Sequence, residues 1–190
     1  MKKISWVFVL LLAWALPLCA ASDAEMLQFI SRTGAEKSEV IMAVDETRSV
    51  PHKEKATLPC SLRYVNPDFL EMTYEQADKE YFLIDGTKMV RRRGGREDKF
   101  DLTKNQLMRR LANTLLYAFS GQVEKISTEQ NTTLKVSEEK SSYRVVLDAR
   151  KKQVMGYSHI EILYSKKDGR IVYMQMDEFN GVSTIYVLAK

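Results

Sequence analysis

Residues 56–64 and 70–74 alternate apolar and polar positions on either side of an Asn66-Pro67-Asp68 turn, which predicts two antiparallel strands sharing one apolar face. Ala56, Leu58, Cys60, Leu62 and Tyr64 fall on one side, while Thr57, Ser61 and Arg63 fall on the other. Leu70, Met72 and Tyr74 repeat the pattern after the turn. Proline presets φ for such a turn, Asn and Asp satisfy nearby backbone groups, and Asp85-Gly86 further on suits the positive φ values of a tight hairpin. Residues 56–89 therefore predict three or more meandering strands. Pro59 cannot donate a ladder hydrogen bond, so the first strand is expected to begin irregularly or to lie at an edge there.

Helical spacing occurs twice. Ser22 with Glu25 forms a capping-box signature, and Met26, Phe29 and Ile30 share one face behind it, with Gly34 expected to help end the helix. Residues 40–44 then predict a strand, followed by a charged loop. Thr103 with Gln106 is a second capping box; Leu107, Leu111, Leu115 and Phe119 form a stripe that Met108, Ala112 and Leu116 widen, and Gly121 is the expected stop. Period two returns afterwards. Tyr143, Val145 and Leu147 alternate with Arg144 and Val146, Ile160, Ile162 and Tyr164 alternate with His159, Glu161 and Leu163, and Asp168-Gly169 and Asn180-Gly181 punctuate strands over 172–176 and 183–188. The pattern predicts an α+β chain, one domain over 22–190, with an antiparallel meander on each side of the second helix.

Residues 1–21 change the compartment. Lys2 and Lys3, an apolar stretch over 4–16 and the small Ala20 and Ala21 predict a cleaved export signal. The apolar stretch, interrupted by Pro17, is short for a span of about 20 residues, so a soluble exported chain is expected. Loss of Cys19 with the signal leaves Cys60 alone, so packing rather than a disulfide must stabilise the fold. Removing Lys2 and Lys3 takes the 29 basic residues to 27 against 25 acidic ones, a net charge of +2 that gives no reason to expect a nucleic-acid partner.

Candidate chemistry is sparse. His52 lies in a charged segment and His159 on the polar side of its strand; neither belongs to a catalytic motif, and no Cys/His cluster has metal-ligand spacing. No enzyme activity, cofactor or metal is expected. Arg91, Arg92, Arg93 and Arg96, with Gly94-Gly95 between them, could grip lipid phosphates or an acidic partner, or form a solvated loop before the second helix. Cys60 reads as a small core residue, and Asn131-Thr132-Thr133 matches a glycosylation sequon. Met26, Met42, Met72, Met89, Met108, Met155, Met174 and Met176 fit either gap filling or a surface that accepts variable apolar ligands.

The order of elements carries a resemblance. An exported chain opens with a helix, runs through Arg63-Tyr64-Val65-Asn66-Pro67-Asp68-Phe69-Leu70 and the Asp85-Gly86 turn to a second helix, and closes on strands around Lys167-Asp168-Gly169-Arg170-Ile171. Over nearly all of its mature length it resembles the LolA-like periplasmic carriers of outer-membrane lipoproteins. That family implies an incomplete antiparallel barrel, a half-barrel whose concave apolar face is covered by helices as a lid. Leu70 and Met72 would then occupy cavity positions, and the helix over 103–120 would be lid. Asn66 stands where many members carry an arginine that helps latch the lid, and the chain ends at Lys190 without the final segment found in many relatives.

On this reading the inward positions are cavity lining as well as candidate core. They are Met26, Phe29 and Ile30 on the first helix, Leu58, Leu62, Tyr64, Leu70, Met72 and Tyr74 on the early strands, and Leu107, Leu111 and Leu115 on the second helix. The late strands add Tyr143, Val145, Ile160, Ile162, Met174 and Met176. The resemblance implies a monomeric carrier that receives lipoproteins from an inner-membrane exporter and passes them to an outer-membrane acceptor. A periplasmic sensor or adaptor recognising lipids through a similar half-barrel, and an unrecognised lipid hydrolase, are the competing expectations.

Overall fold

The computed structural model describes residues 21–75 and 80–188, so the expected export signal lies outside the described residues but for Ala21. The first element, α1 (Asp23–Ala35), starts at its capping box: Ser22 N–H donates to Glu25 Oε2 at 2.7 Å, and Glu25 N–H donates to Ser22 Oγ at 3.3 Å. Six strands follow: β1 (Glu39–Ser49), β2 (Ala56–Val65), β3 (Phe69–Tyr74), β4 (Tyr81–Asp85), β5 (Lys88–Arg93) and β6 (Arg96–Asp101). Two helices, α2 (Gln106–Phe119) and α3 (Val123–Gln130), lead into β7 (Thr132–Glu138), β8 (Ser142–Ala149), β9 (Tyr157–Ser165), β10 (Ile171–Glu178) and β11 (Ser183–Leu188).

The strands form one antiparallel sheet of 11 in the order β6-β5-β4-β3-β2-β1-β11-β10-β9-β8-β7. Each meander is internally consecutive. They join where β1 meets β11, with Val44 opposite Leu188 and Ser49 opposite Ser183. Edge strands β6 and β7 do not pair among the described residues, so the sheet remains an open half-barrel with its helices on the apolar face. The α+β half-barrel that the pattern and the resemblance lead one to expect is the observed architecture.

Several local expectations are corrected. β1 continues five residues past Val44, so the segment expected to be a charged loop extends the strand, and period two turns Glu46 and Arg48 to the inner face beside Val44. Pro59 lies within β2 rather than at its start, and the edge expected there is present on one side: β3 no longer pairs, the Pro59 carbonyl accepts from Glu75 N–H at 3.4 Å, and the missing N–H costs no ladder bond on that side. The N-cap of α2 is Asn105, whose Oδ1 accepts from Met108 N–H at 3.0 Å, not Thr103. Thr103 instead hydrogen-bonds Asp101 in the preceding turn. α3 was not foreseen; it is only eight residues long and closes on Asn131 in the left-handed region. The arginine run is not a loop but the β5–β6 hairpin, turning at Gly94-Gly95.

One core joins helices and sheet. Tyr64 and Phe119 stack with centroids 5.4 Å apart, and the Tyr164 hydroxyl donates to the Ala118 carbonyl at 2.9 Å, so the C-terminal half of α2 is fastened to the sheet. Buried Gln130 donates to Thr114 Oγ1 at 2.8 Å and to the Arg110 carbonyl at 3.1 Å, tying α3 to α2. Gly34 does not end α1 but lets it approach the α2–α3 turn. A Cβ at Gly34 would lie 2.3 Å from the Ser120 carbonyl oxygen, and one at Gly121 would lie 2.3 Å from the Ile30 carbonyl oxygen. Gly34→Ala is therefore expected to cost about 1–3 kcal/mol through overpacking. Urea unfolding should register this as a lower midpoint at unchanged slope.

Candidate ligand cavity with a charged rim

Along parallel members of the sheet, the inner face changes character in the same direction. On β1 it runs Val44, Glu46, Arg48; on β3, Met72 then Tyr74; on β5, Met89, Arg91, Arg93; on β10, Met176 then Glu178. Strands β1, β3, β5 and β10 point the same way in the antiparallel order, so their C-terminal ends gather the polar groups at one end of the half-barrel. The N-terminal half of α2 lies over this transition. Between helix and sheet is a cavity of about 280 Å³.

Its apolar wall is made by Leu58, Met72, Phe82, Met89 and Met176 from the sheet and by Met108, Leu111, Ala112 and Leu115 from α2. Its other wall carries Glu46, Arg48, Tyr74, Glu80, Tyr157, Glu178 and Tyr186, with Arg91, Arg92 and Arg93 at the rim. The Tyr74 hydroxyl donates to Glu46; burial first, then the Glu46 charge, holds that hydroxyl above its ordinary value, so it stays a donor. Asn180 Nδ2 donates to Glu178 Oε2 at 2.9 Å, and Gly94 N–H donates to Glu80 Oε1 at 2.9 Å, with Arg93 Nε 3.8 Å from the same carboxylate.

The rest of the arginine run is committed to acids across its hairpin. Arg91 pairs with Asp98 at 2.9 Å, Arg96 with the same carboxylate at 2.9 Å, and Arg92 Nε with Glu97 at 3.1 Å. Hydrogen bonds from Lys99, Tyr81 and Arg92, in that order, hold the Glu97 carboxyl down to about 2. Exposed pairs of this kind are screened by solvent, and they set the hairpin's geometry more than its stability.

The cavity gathers only part of the expected lining. Leu58, Met72, Tyr74, Leu111, Leu115 and Met176 line it, as do Arg91, Arg92 and Arg93, whereas Arg96 does not. Met26, Ile30, Leu62, Tyr64, Leu70, Val145, Ile160, Ile162 and Met174 are closed into the core instead. Phe29 and Tyr143 are half-buried and meet edge to face at 5.4 Å, away from the cavity. Leu107 belongs neither to the cavity nor to the apolar cluster, because the late start of α2 puts it in the first turn at the helix margin. Strand parity separated inside from outside correctly, but it does not say which inward positions neighbouring side chains will fill. Glu46, Arg48, Tyr157, Glu178 and Tyr186 were missed. Continuing the alternation of β1 beyond Val44 would have found the first two.

His159 lies on the outer face, with Nδ1 2.7 Å from Asp148 Oδ1. No cluster of three or more His, Cys, Asp or Glu suited to a metal ion occurs among the described residues, and none of their helices is long and apolar enough to cross a membrane. Cys60 is buried, and burial pushes its thiol from the ordinary 9 up to about 12. A thiol reagent at pH 8 is expected to label it only after denaturant is added. Because the folded value is the higher one, its contribution to stability is whole below about pH 9 and is lost as pH rises toward 12. Alkaline unfolding followed by circular dichroism checks the direction.

No family model matches the sequence, and no curated protein does. Among solved structures, the chain is similar to a LolA superfamily protein from Nitrosomonas europaea, at 8% identity and a TM-score of 0.41, over 90% of this chain and 93% of that one. It is similar to a putative outer-membrane lipoprotein-sorting protein domain from Vibrio parahaemolyticus, at 10% identity and a TM-score of 0.41, over 88% and 91% of the two chains. A third is a chain of the Pseudomonas aeruginosa MucA/MucB complex, at 11% identity and a TM-score of 0.45, covering 87% of this chain but only 54% of that one. These are likenesses of chain layout, and no residue role passes across them. The chain's own open sheet of 11 antiparallel strands, with helices across the apolar face, is the open half-barrel expected from its sequence.

Proposed function

We propose that the protein is a non-enzymatic periplasmic carrier that shelters the acyl chains of lipoproteins between the inner and outer membranes. The observation that supports this reading is the cavity's gradient, apolar under α2 and charged at one end of the sheet. Such a site suits an amphiphile lying lengthwise, with its chain against Met72, Met89, Leu111 and Leu115. Each buried methylene contributes about 0.8 kcal/mol, so a chain that leaves a membrane needs an apolar replacement. A wall rich in methionine accepts chains of different shape without the tight fit that would oppose release.

At about 280 Å³ the cavity lies at the small end of ligand pockets. Loading several chains therefore requires opening. The fastening of α2 at Ala118 and Phe119 makes its other half, with half-buried Met108 and Leu111, the part able to lift. The same limited volume favours a second reading, a sensor or adaptor that holds one chain without transporting it. Delivery of bound probe to acceptor vesicles would separate carrier from sensor.

A chain-length series tests the shared premise. Affinity is expected to rise about fourfold per added methylene until the cavity is filled, and then to level off. Affinity independent of chain length would overturn the reading.

A further inference from the structure

Among the described residues, Arg48 is the one charged group lining the cavity without a hydrogen-bonded or ion-pair partner. Glu46 accepts from Tyr74, Glu80 from Gly94, and Glu178 from Asn180. Arg91 and Arg92 are paired with Asp98 and Glu97, and Arg93 approaches Glu80. Arg48 has no ion pair among the described residues, and its Nε is shut off from solvent with no hydrogen-bond partner. Strand parity has carried this guanidinium inward, opposite Thr184 of β11, onto the polar wall beside Tyr157.

A buried donor of a charged group left unsatisfied costs free energy, and such sites in folded proteins call for an explanation. Exposure to solvent does not supply one here for Nε. Glu46, two residues back on the same face, accepts from Tyr74 and makes no ion pair with Arg48. A bound anionic oxygen group would complete the site, since the guanidinium fork matches carboxylate and phosphate oxygens.

We propose that Arg48 is the head-group site of the cavity, and that the ligand is an amphiphile whose chain enters under α2 while a carboxylate or phosphate at its head is held by the Arg48 guanidinium. The proposal rests on the acyl-binding reading above and narrows it from apolar chains in general to anionic amphiphiles. Tyr157 and Tyr186, whose hydroxyls burial holds above their ordinary values, stay protonated beside the anion and do not repel it. Arg91, Arg92 and Arg93 remain with their own acids at the rim, so the selectivity falls on one residue of β1.

Three probes with the same twelve-carbon chain test this: lauric acid as the carboxylate, lauroyl lysophosphatidic acid as the phosphate, and dodecanol as the neutral head. Wild-type protein is expected to bind at least one anionic probe roughly tenfold or more tightly than dodecanol. The better anion identifies the source. Arg48→Gln should bring that affinity down to the dodecanol level and leave dodecanol binding unchanged, while Arg96→Gln, outside the cavity, should keep the preference. Equal binding of all three probes by wild-type protein, or a preference that survives Arg48→Gln, overturns the head-group site while leaving the acyl cavity standing. Failure of wild-type protein to bind any of the three overturns both. Should Arg48→Gln not fold, the wild-type ranking decides the question, together with loss of the anionic preference in Arg48→Met.

Discussion

Leu111→Trp is expected to lower affinity for a fluorescent acyl probe by about tenfold or more, with the thermal midpoint nearly unchanged. Leu111 is only half-buried, lines the cavity from the N-terminal half of α2, and faces the methionine-rich wall of the sheet. An indole there fills space that the ligand would use. Excluding two methylenes removes about 1.6 kcal/mol of burial, which corresponds to roughly a tenfold loss. The protein should tolerate the change because the cavity has room for the larger side chain and the fastening of α2 lies elsewhere, at Phe119 and Ala118. Probe titration with circular dichroism on the same sample checks both parts. Unaltered affinity in a folded variant would mean that this space is not the ligand's.

Leu70→Ala should behave in the opposite way, costing about 2–5 kcal/mol of stability. Leu70 is 0% exposed, sits opposite Tyr64 on β2 and Ile84 on β4, and belongs to the closed core. Truncation leaves a void that its fully buried neighbours cannot collapse to fill. Urea unfolding would measure the loss. At concentrations where the variant remains folded, acyl-probe affinity should match wild type, because Leu70 does not touch the cavity. A loss below about 1 kcal/mol would contradict its placement in packed core.

The contrast between Leu70 and Leu111 indicates what the sequence could and could not reveal. Alternation along β2 and β3, helical spacing in α1 and α2, and the Asn180-Gly181 turn before β11 were legible because they are local, and the structure keeps their inside and outside. Pairing of β1 with β11 was not legible, since nothing near Val44 or Leu188 encodes a partner so distant along the chain. The cavity was legible only in part for the same reason. Whether an inward residue meets packed side chains or open space depends on where α2 lies across the sheet.

Charge misled the reading at two places. Asp45, Glu46 and Arg48 looked like loop residues because strands seldom carry so many charges, yet the partners of β1 on both sides hold them in the ladder. The arginine run suggested either a phosphate grip or a solvated loop. Each of its members instead finds a carboxylate on β6 or at Glu80, which charge counting within the run could not reveal. The Asn66 Oδ1 accepts from the Tyr64 hydroxyl at 3.3 Å, and the Tyr164 hydroxyl secures α2 through the Ala118 carbonyl.

The central claim is that the cavity under α2 holds an acyl chain in the cell. Mass spectrometry of the folded protein isolated under non-denaturing conditions from its native cells tests this most directly, with Leu111→Trp isolated in parallel. Acyl-bearing molecules in near-stoichiometric amount on wild-type protein, and their marked depletion on the variant, are the expected result. Folded wild-type protein without acyl-bearing molecules, or equal loading of both proteins, would contradict it.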